Sequence, residues 1–224
     1  MNILFSPSQT KRQGGQSDAS WSLEKLFLSQ YAHRDPIVER YNALFGAWDT
    51  SMLMPAVLRY DGVAYDYLNY EGLPIDAQNY LDTHLVIFSD LLGSVLGGDL
   101  IGLYRLKQGG KLAEIAIDKH YRTHTQTALD AYLANAPLLD LRAGIYDKFF
   151  APTIAHTTVR FLKEGKIISH WAKAYRGVLA RHVALHKPKT LEALALELPS
   201  SMQLIDVTHK ALQTQWTIAL GAST

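Results

Sequence analysis

The chain has 224 residues, of which 48% are hydrophobic and 19% are charged, and its formal net charge is +1. This composition excludes an intrinsically disordered chain, and the length is enough to bury a hydrophobic core. There is no cysteine, which excludes disulfides, thiolate nucleophiles and cysteine-ligated zinc or iron–sulfur sites. The first residues lack the pattern of a signal peptide, and no apolar run is long enough to span a bilayer. We therefore expect a cytoplasmic protein with no membrane partner.

The first half of the chain predicts one short strand followed by helices. Residues 2–5 form an apolar strand that stops at Pro7, and the polar residues 9–20, rich in glycine and serine, are typical of a loop. Capping residues and helix-starting prolines then predict four helices. These helices cover residues 20–32, 36–48, 63–68 and 74–84.

The second half of the chain alternates strands and helices. Short apolar runs predict buried strands at residues 85–88 and 138–141, and a glycine-rich stretch runs from Gly93 to Gly110. Helices are predicted at residues 114–135, 144–150, 170–186 and 190–198. A hairpin with arms at 153–162 and 166–169 and two strands within 202–219, turning near Lys210, complete the set.

This order of elements indicates the fold class. Strands interleaved with helices, with hairpins towards the end, predict an α/β fold of the mixed α+β kind. We expect a single domain, residues 1–224, in which helices flank a mixed β-sheet.

Positive charge is concentrated in one segment. Between Arg160 and Lys189 there are eight lysines and arginines and one glutamate, an excess of seven positive charges, so the rest of the chain carries a net charge of minus six. Such a concentration on a near-neutral protein is typical of an anion-binding face, and the alternative is an ordinary solvated helix face.

The predicted helix at 170–186 gives this charge a direction. At about 100° per residue, Lys173, Arg176 and Arg181 share an arc of about 140°. Gly177 lies within that arc, and its lack of a side chain lets a ligand or another backbone approach closely. Arginine suits phosphate or carboxylate because its planar fork donates two parallel hydrogen bonds.

Four segments together resemble the YaaA peroxide-stress family, in the family's order along the chain. The most specific is AKAYRGVLAR at residues 172–181, which is similar to the family element A-K-K-A-R-G-L-M-A-R. The stretch HLVIFSDLLGSVLGGDLIGLYRLKQGGKL at 84–112 resembles a second family motif. ILFSPSQTK at 3–11 and VLRYDGVAYDYL at 57–68 resemble two more. The chain departs from the family pattern at Gln9, Leu96 and Gly97, where the family has lysine, arginine and proline.

The resemblance implies a YaaA-like fold and a cytosolic role in limiting damage under hydroperoxide stress. It also implies DNA binding, through a helix–hairpin–helix-like element and a positively charged cleft. In such an element glycine amides grip backbone phosphates without reading base sequence, and the glycines near residues 91–98 are candidates for that role.

These arguments give eleven candidate residues for binding an anion or DNA. Two follow the first strand, where anion-binding loops often begin, and the others carry charge, a phenol or a bare backbone in the family motifs. They are Ser6, Ser8, Lys11, Gly93, Asp99, Tyr104, Arg105, Lys173, Arg176, Gly177 and Arg181. A structural alternative is a plain strand exit at the serines, with Asp99 capping a turn and pairing with Arg105.

The sequence identifies no catalytic residue, cofactor or metal site. Two histidine pairs have i, i+4 spacing, but neither has the glutamate of an H-E-x-x-H motif, and the glycines fit neither a Walker A loop nor a dinucleotide fingerprint. Three functions stay open. The protein is a stress protein that binds DNA nonspecifically, an enzyme acting on a small phosphate- or carboxylate-bearing substrate in a pocket of the same residues, or a scaffold with neither activity.

Overall fold

The computed structural model describes residues 1–107, 109, 111–168 and 171–221. The described strands are β1 (Asn2–Phe5), β2 (Thr10–Lys11), β3 (Asp49–Pro55), β4 (Tyr60–Asp61), β5 (Leu85–Ser89), β6 (Gly93–Leu96), β7 (Leu100–Leu103), β8 (Lys111–Leu112), β9 (Ile115–Ala116), β10 (Leu138–Asp140), β11 (His156–Lys163), β12 (Lys166–Ile167), β13 (Met202–Lys210) and β14 (Gln213–Leu220).

Helices connect most of these strands. The described helices are α1 (Ser29–Ala32), α2 (Asp35–Phe45), α3 (Ala56–Arg59), α4 (Val63–Leu68), α5 (Ile75–His84), α6 (Ile117–Leu133), α7 (Ala172–His186) and α8 (Leu191–Leu196), with 3₁₀ turns at Leu23–Lys25, Tyr70–Gly72 and Gly144–Lys148. Among the described residues, every helix falls short of the length and apolar character that crossing a bilayer requires.

One mixed sheet of eight strands organises the fold and confirms the predicted fold class. Its strand order is β13-β14-β11-β10-β1-β5-β6, and β12 adds to β11. The strands β5, β1, β10, β11 and β14 are parallel to one another, whereas β6, β12 and β13 pair antiparallel with β5, β11 and β14 respectively. All four residues of β1 are buried, because its NILF run supplies apolar side chains to both faces of the sheet.

The parallel strands create a crevice at β1. From β1 the chain passes to β5 on one side and then returns to β10 on the other side. Where the order of strand addition reverses in this way, a gap is left outside the carboxyl ends of the two adjacent strands, here β1 and β10. Ligands of open α/β sheets bind in such a gap. In this protein the gap lies beyond Phe5 of β1 and Asp140 of β10.

The prediction of one continuous helix over residues 20–32 is wrong. The chain forms the 3₁₀ turn Leu23–Lys25 and the short α1 instead, with Leu28 in the left-handed region at φ 52°. The Phe27 amide donates to Asp99 Oδ2 at 3.0 Å, and the Phe27 carbonyl accepts from Arg34 Nη2 at 2.7 Å. These tertiary hydrogen bonds use the backbone groups that a continuous helix would need.

The glycine-rich stretch also differs from expectation. Residues 85–96 form the antiparallel hairpin of β5 and β6, so the glycines near 91–98 are not part of a helix–hairpin–helix. Gly93 turns this hairpin at φ 70°, where a Cβ would lie 2.6 Å from the Tyr121 ring. A strand pairing that packs so closely on Tyr121 leaves no room for a helical turn.

Most other elements begin and end within a few residues of the predicted positions. In the predicted loop at 9–20, however, Thr10–Lys11 pairs with Tyr60–Asp61 and so fixes the position of Lys11. The predicted start of the basic helix at His170 and the end of the hairpin at residue 169 lie outside the described residues. So do Gln108 and Gly110.

Candidate functional site

A cavity of about 310 Å³ lies at the crevice beside β1. We call it the switch-point cavity. Its wall combines the residues that follow β1 with the loop after β10 and the first turn of α7, and its polar members include Ser6, Ser8, Lys173 and Arg176. Four residues predicted from two separate motifs therefore meet at one place in the fold.

The strand ends hold this cavity open through hydrogen bonds to Ser6. The Ser6 hydroxyl accepts from the Ala143 amide at 2.8 Å, which ties the end of β1 to the loop after β10. The Ser6 carbonyl accepts from the Tyr65 hydroxyl at 2.9 Å, which ties it to α4. Ser6 thus shapes the wall, and the cations of α7 are left to attract a ligand.

Lys173 and Arg176 lie one turn apart on α7 and point charge into the cavity. Neither side chain makes a hydrogen bond or an ion pair with any described residue. Burial lowers the pKa of Arg176, and the charge of Asp140 opposes that shift. A half-buried cation without a partner is unfavourable alone and becomes favourable when an anion occupies the cavity.

A second cavity of about 780 Å³ adjoins the first. We call it the cationic cavity. Gln9 and Thr10 line both cavities and form the wall between them. Its charged members are Lys11, Arg105, Lys107 and Lys111, and its apolar members include the exposed Phe45.

Lys11 stands out because its amine is buried at the wall of the cationic cavity. Its Nζ atom donates to the carbonyls of Ser8 and Gln9 at 3.3 Å and lies 4.0 Å from the centroid of the Tyr104 ring. Burial is the main cause that lowers the pKa of Lys11 to about 8; the charge of Asp90 opposes this shift, and the charge of Arg59 adds to it. The aromatic ring and the carbonyls compensate only in part for the lost hydration of this cation.

A buried chain of hydroxyl groups lies beneath Lys11. The Tyr104 hydroxyl is 2.9 Å from the hydroxyls of both Tyr60 and Ser89. Burial raises the pKa of Tyr104 well above its ordinary value, so the phenol stays protonated. Asp90 follows Ser89 in the chain, and burial raises the pKa of its carboxyl to about 6. The Oδ2 atom of Asp90 has no hydrogen-bond partner among the described residues.

Arg181 and Gly177 lie on the same helix but serve its packing. The Arg181 guanidinium donates to the carbonyls of Leu68, Asn69 and Gly72 at 2.7–3.1 Å, at the end of α4. A Cβ at Gly177 would lie 2.1 Å from the carbonyl oxygen of Ala64, also in α4. The bare backbone of Gly177 therefore admits another helix, which is one of the two possibilities that the sequence left open.

Gly93, Asp99 and Arg105 are separated by the fold. Gly93 turns the β5–β6 hairpin, away from both cavities. Asp99 caps a turn, because its Oδ2 atom accepts from the amides of Leu96 and Phe27 at 2.9 and 3.0 Å. Arg105 makes no ion pair with Asp99 or with any other described residue and lines the cationic cavity.

The sequence missed several members of this site. Phe45 lies outside the four resembling segments. Lys107 and Lys111 lie within the segment 84–112 but were not among the candidate residues, and they fall in the part of the chain that is acidic on balance. The one available signal was their spacing close after Arg105, three cations in seven residues. Within the described part of the chain, no group of three or more histidine or carboxylate side chains could hold a metal ion.

Comparison with known proteins places this chain in a family. The profile described as "Peroxide stress protein YaaA" matches residues 19–197. A Campylobacter jejuni protein named "Uncharacterized protein Cj0984" is 36% identical, over 96% of this chain and 97% of its own length. UPF0246 proteins of Corynebacterium glutamicum and Corynebacterium efficiens are 35% and 38% identical, over 86% and 82% of this chain and 89% and 85% of theirs. The four resembling segments, the mixed sheet and these matches agree, and the chain belongs to the YaaA peroxide-stress family.

Proposed function

We propose that this protein contributes to peroxide-stress resistance by binding the phosphodiester backbone of DNA without reading base sequence. One observation carries the proposal. The two adjoining cavities are lined by six cations, Lys11, Arg105, Lys107, Lys111, Lys173 and Arg176, and by no carboxylate among the described residues. Five of the six, all but Lys11, make no hydrogen bond or ion pair through their side chains with the described part of the chain.

The kind of contact supports binding that is independent of base sequence. We call the switch-point cavity and the cationic cavity together the groove. Lysine and arginine at its rim bind phosphates through charge, and such contacts position a nucleic acid but carry no base information. Each neutralised phosphate releases condensed counterions, so affinity falls steeply with salt. Because Gly93 turns a β-hairpin, the proposal relies on side-chain cations and not on glycine amides.

The test is a fluorescence anisotropy titration with two labelled DNA oligonucleotides of unrelated sequence at several salt concentrations. We expect similar affinity for both sequences and a logarithmic plot of affinity against salt with a steep negative slope. Lys173→Ala combined with Arg176→Ala should weaken binding and reduce that slope by up to about 2.

The matched control removes the same charge elsewhere. Lys163 and Lys166 are exposed on the β11–β12 hairpin and line neither cavity. Lys163→Ala combined with Lys166→Ala should therefore leave most of the affinity. Equal losses in both double variants, or no DNA binding at low salt, would rule out the groove as the binding surface.

A second function is favoured by the position of the switch-point cavity. It lies where open α/β sheets bind small ligands, and its volume of about 310 Å³ is large enough for one small phosphate-bearing molecule. An enzyme acting on a small anionic substrate would use Lys173 and Arg176 to hold that anion. This function would be favoured if a nucleotide raises the melting temperature of the wild type, if the Lys173→Ala and Arg176→Ala double variant loses that effect, and if the wild type does not bind DNA.

A further inference from the structure

Of the six cations that line the two cavities, Lys11 is the one with a buried amine. Its residue is only 8% exposed, and no carboxylate of the described residues forms an ion pair with it. The two-residue ladder of β2 with β4 and the carbonyls of Ser8 and Gln9 hold it in one place. A desolvated and fixed amine without a carboxylate partner is suited to losing its proton.

The surroundings of Lys11 favour the neutral amine. With the pKa lowered to about 8 from an ordinary value of 10.5, about a tenth of the Lys11 side chains are unprotonated at pH 7. The charged groups that act on it are Asp90, which favours the ammonium form, and Arg59, which opposes it. A lysine activated by desolvation is the nucleophile that forms imines with carbonyl compounds.

The cavity around this amine selects the carbonyl compound. Arg105, Lys107 and Lys111 are exposed around the same cavity, and they attract a phosphate group to within reach of Lys11. Phe45, 59% exposed on the same wall, offers an apolar face to a sugar or base. The cavity volume of about 780 Å³ admits a sugar phosphate, either free or as part of a nucleic-acid strand.

We propose that Lys11 is a nucleophilic residue that forms an imine with the aldehyde carbon of a phosphate-bearing sugar. Two sources share this chemistry, the open-chain sugar of an abasic site in DNA and a free sugar phosphate. The first source rests on the proposed function, because the groove must then bring the strand to Lys11.

The step balances without an oxidant or a reductant. The Nζ lone pair attacks the aldehyde carbon, a C–N bond forms, and the electron pair of the C=O π bond moves to the oxygen, which takes a proton. The nitrogen transfers one of its protons to solvent. The carbinolamine hydroxyl then takes a further proton and leaves as water, while the nitrogen lone pair forms the C=N bond of a protonated imine.

The test traps this imine as a stable secondary amine with sodium cyanoborohydride. The full-length protein is incubated at pH 7 with a single-stranded oligonucleotide that carries one abasic site, with the same oligonucleotide undamaged, or with glyceraldehyde 3-phosphate. Peptide mapping by mass spectrometry then identifies the modified residue. We expect modification at Lys11 to exceed that at the exposed Lys163 at least tenfold, and Lys11→Arg to abolish it. Lys163→Arg, the matched control, should trap as the wild type does.

The three arms separate the possible outcomes. Trapping of the abasic oligonucleotide at Lys11 supports the proposal with DNA as the source, and trapping of glyceraldehyde 3-phosphate alone supports it with a free sugar phosphate. Modification spread evenly over the exposed lysines and the Met1 amine would overturn the proposal. Met1 precedes β1 and so lies at the end of that strand opposite to the cavities. Anisotropy with the undamaged oligonucleotide reports separately on DNA binding. Peptide mapping of the wild type does not depend on whether Lys11→Arg folds.

Discussion

At the scale of single residues, Gly177 has the least room for a side chain of the described glycines. A methyl group there would lie 2.1 Å from the carbonyl oxygen of Ala64 and 2.9 Å from the amide nitrogen of Leu68. Both are backbone atoms of α4, so no rotamer change can relieve the clash. The two helices would have to separate, and α7 would carry Lys173 and Arg176 away from the switch-point cavity.

We therefore expect Gly177→Ala to lower the free energy of unfolding by about 1–3 kcal/mol, as overpacked substitutions do. This loss should occur although alanine is the better helix former by about 1 kcal/mol. Urea denaturation measures it. Gly144→Ala is the control, because a Cβ there would meet nothing closer than 3.7 Å and its stability should not fall. A fully stable Gly177→Ala protein would show that the helices do not pack this closely.

Residue periodicity identified the cations of α7 but not their separate roles. A step of about 100° per residue places Lys173, Arg176 and Arg181 on one arc. It does not tell which edge of that arc meets another helix, since this depends on α4, more than a hundred residues earlier in the chain. The sequence therefore grouped two residues of the proposed anion site with a residue that packs beside them.

At the scale of elements, the short helix α4 depends on a side chain from α7. Helix ends leave carbonyl groups without partners inside the helix, and α4 has only six residues. Arg181 satisfies the carbonyls of Leu68 and Asn69 at that end and also binds Gly72. One guanidinium thus joins α4, the 3₁₀ turn after it and α7.

We expect Arg181→Met to lower the free energy of unfolding by about 1–3 kcal/mol, because three carbonyls lose a charged donor while the apolar stem is kept. Hydrogen exchange of the α4 amides should also become faster, which a mass spectrometer can follow. Lys173→Met on the exposed face of α7 is the control and should change neither quantity appreciably. Unchanged exchange in Arg181→Met would mean that α4 is held by packing alone.

Elements with a local cause were predicted well. β1 follows from its apolar run and Pro7, and α8 follows from Thr190, whose hydroxyl accepts from the Ala193 amide at 3.1 Å. The helix predicted at 20–32 does not form, because the hydrogen bonds that interrupt it come from Asp99 and Arg34, which are distant in sequence from most of that segment. The cavities were not predictable as shapes, since their walls join segments from residue 5 to residue 176.

At the scale of the whole molecule, the buried Asp90 makes stability depend on pH. Burial raises the pKa of this carboxyl from 3.8 to about 6 in the folded protein. Between about pH 4 and pH 6 the Asp90 carboxyl is protonated in the folded state but ionised in the unfolded state. The free energy of unfolding therefore falls as the pH rises through this window. The ionised carboxylate costs up to about 3 kcal/mol above pH 6.

We expect Asp90→Asn to be more stable than the wild type by up to about 3 kcal/mol at pH 8, and to lose that advantage at pH 4. Urea unfolding of both proteins at the two pH values measures the difference, in which titrating groups that do not interact with Asp90 cancel; Lys11 does interact with it. Asp66→Asn, at an exposed position, is the control and should show no such trend. A constant difference between pH 4 and pH 8 would contradict an unpaired buried carboxylate.

The order of strands in the sheet also has a consequence for how the chain is made. The central strand β1 is synthesised first, but Ile3 pairs with Leu85 and Asn2 with Leu138. At about 5–20 residues per second on the ribosome, this apolar strand waits for several seconds before either neighbour exists. Contacts so distant in sequence also slow folding itself. This strand therefore needs protection by chaperones during synthesis, and the switch-point cavity forms only after α7 has left the ribosome.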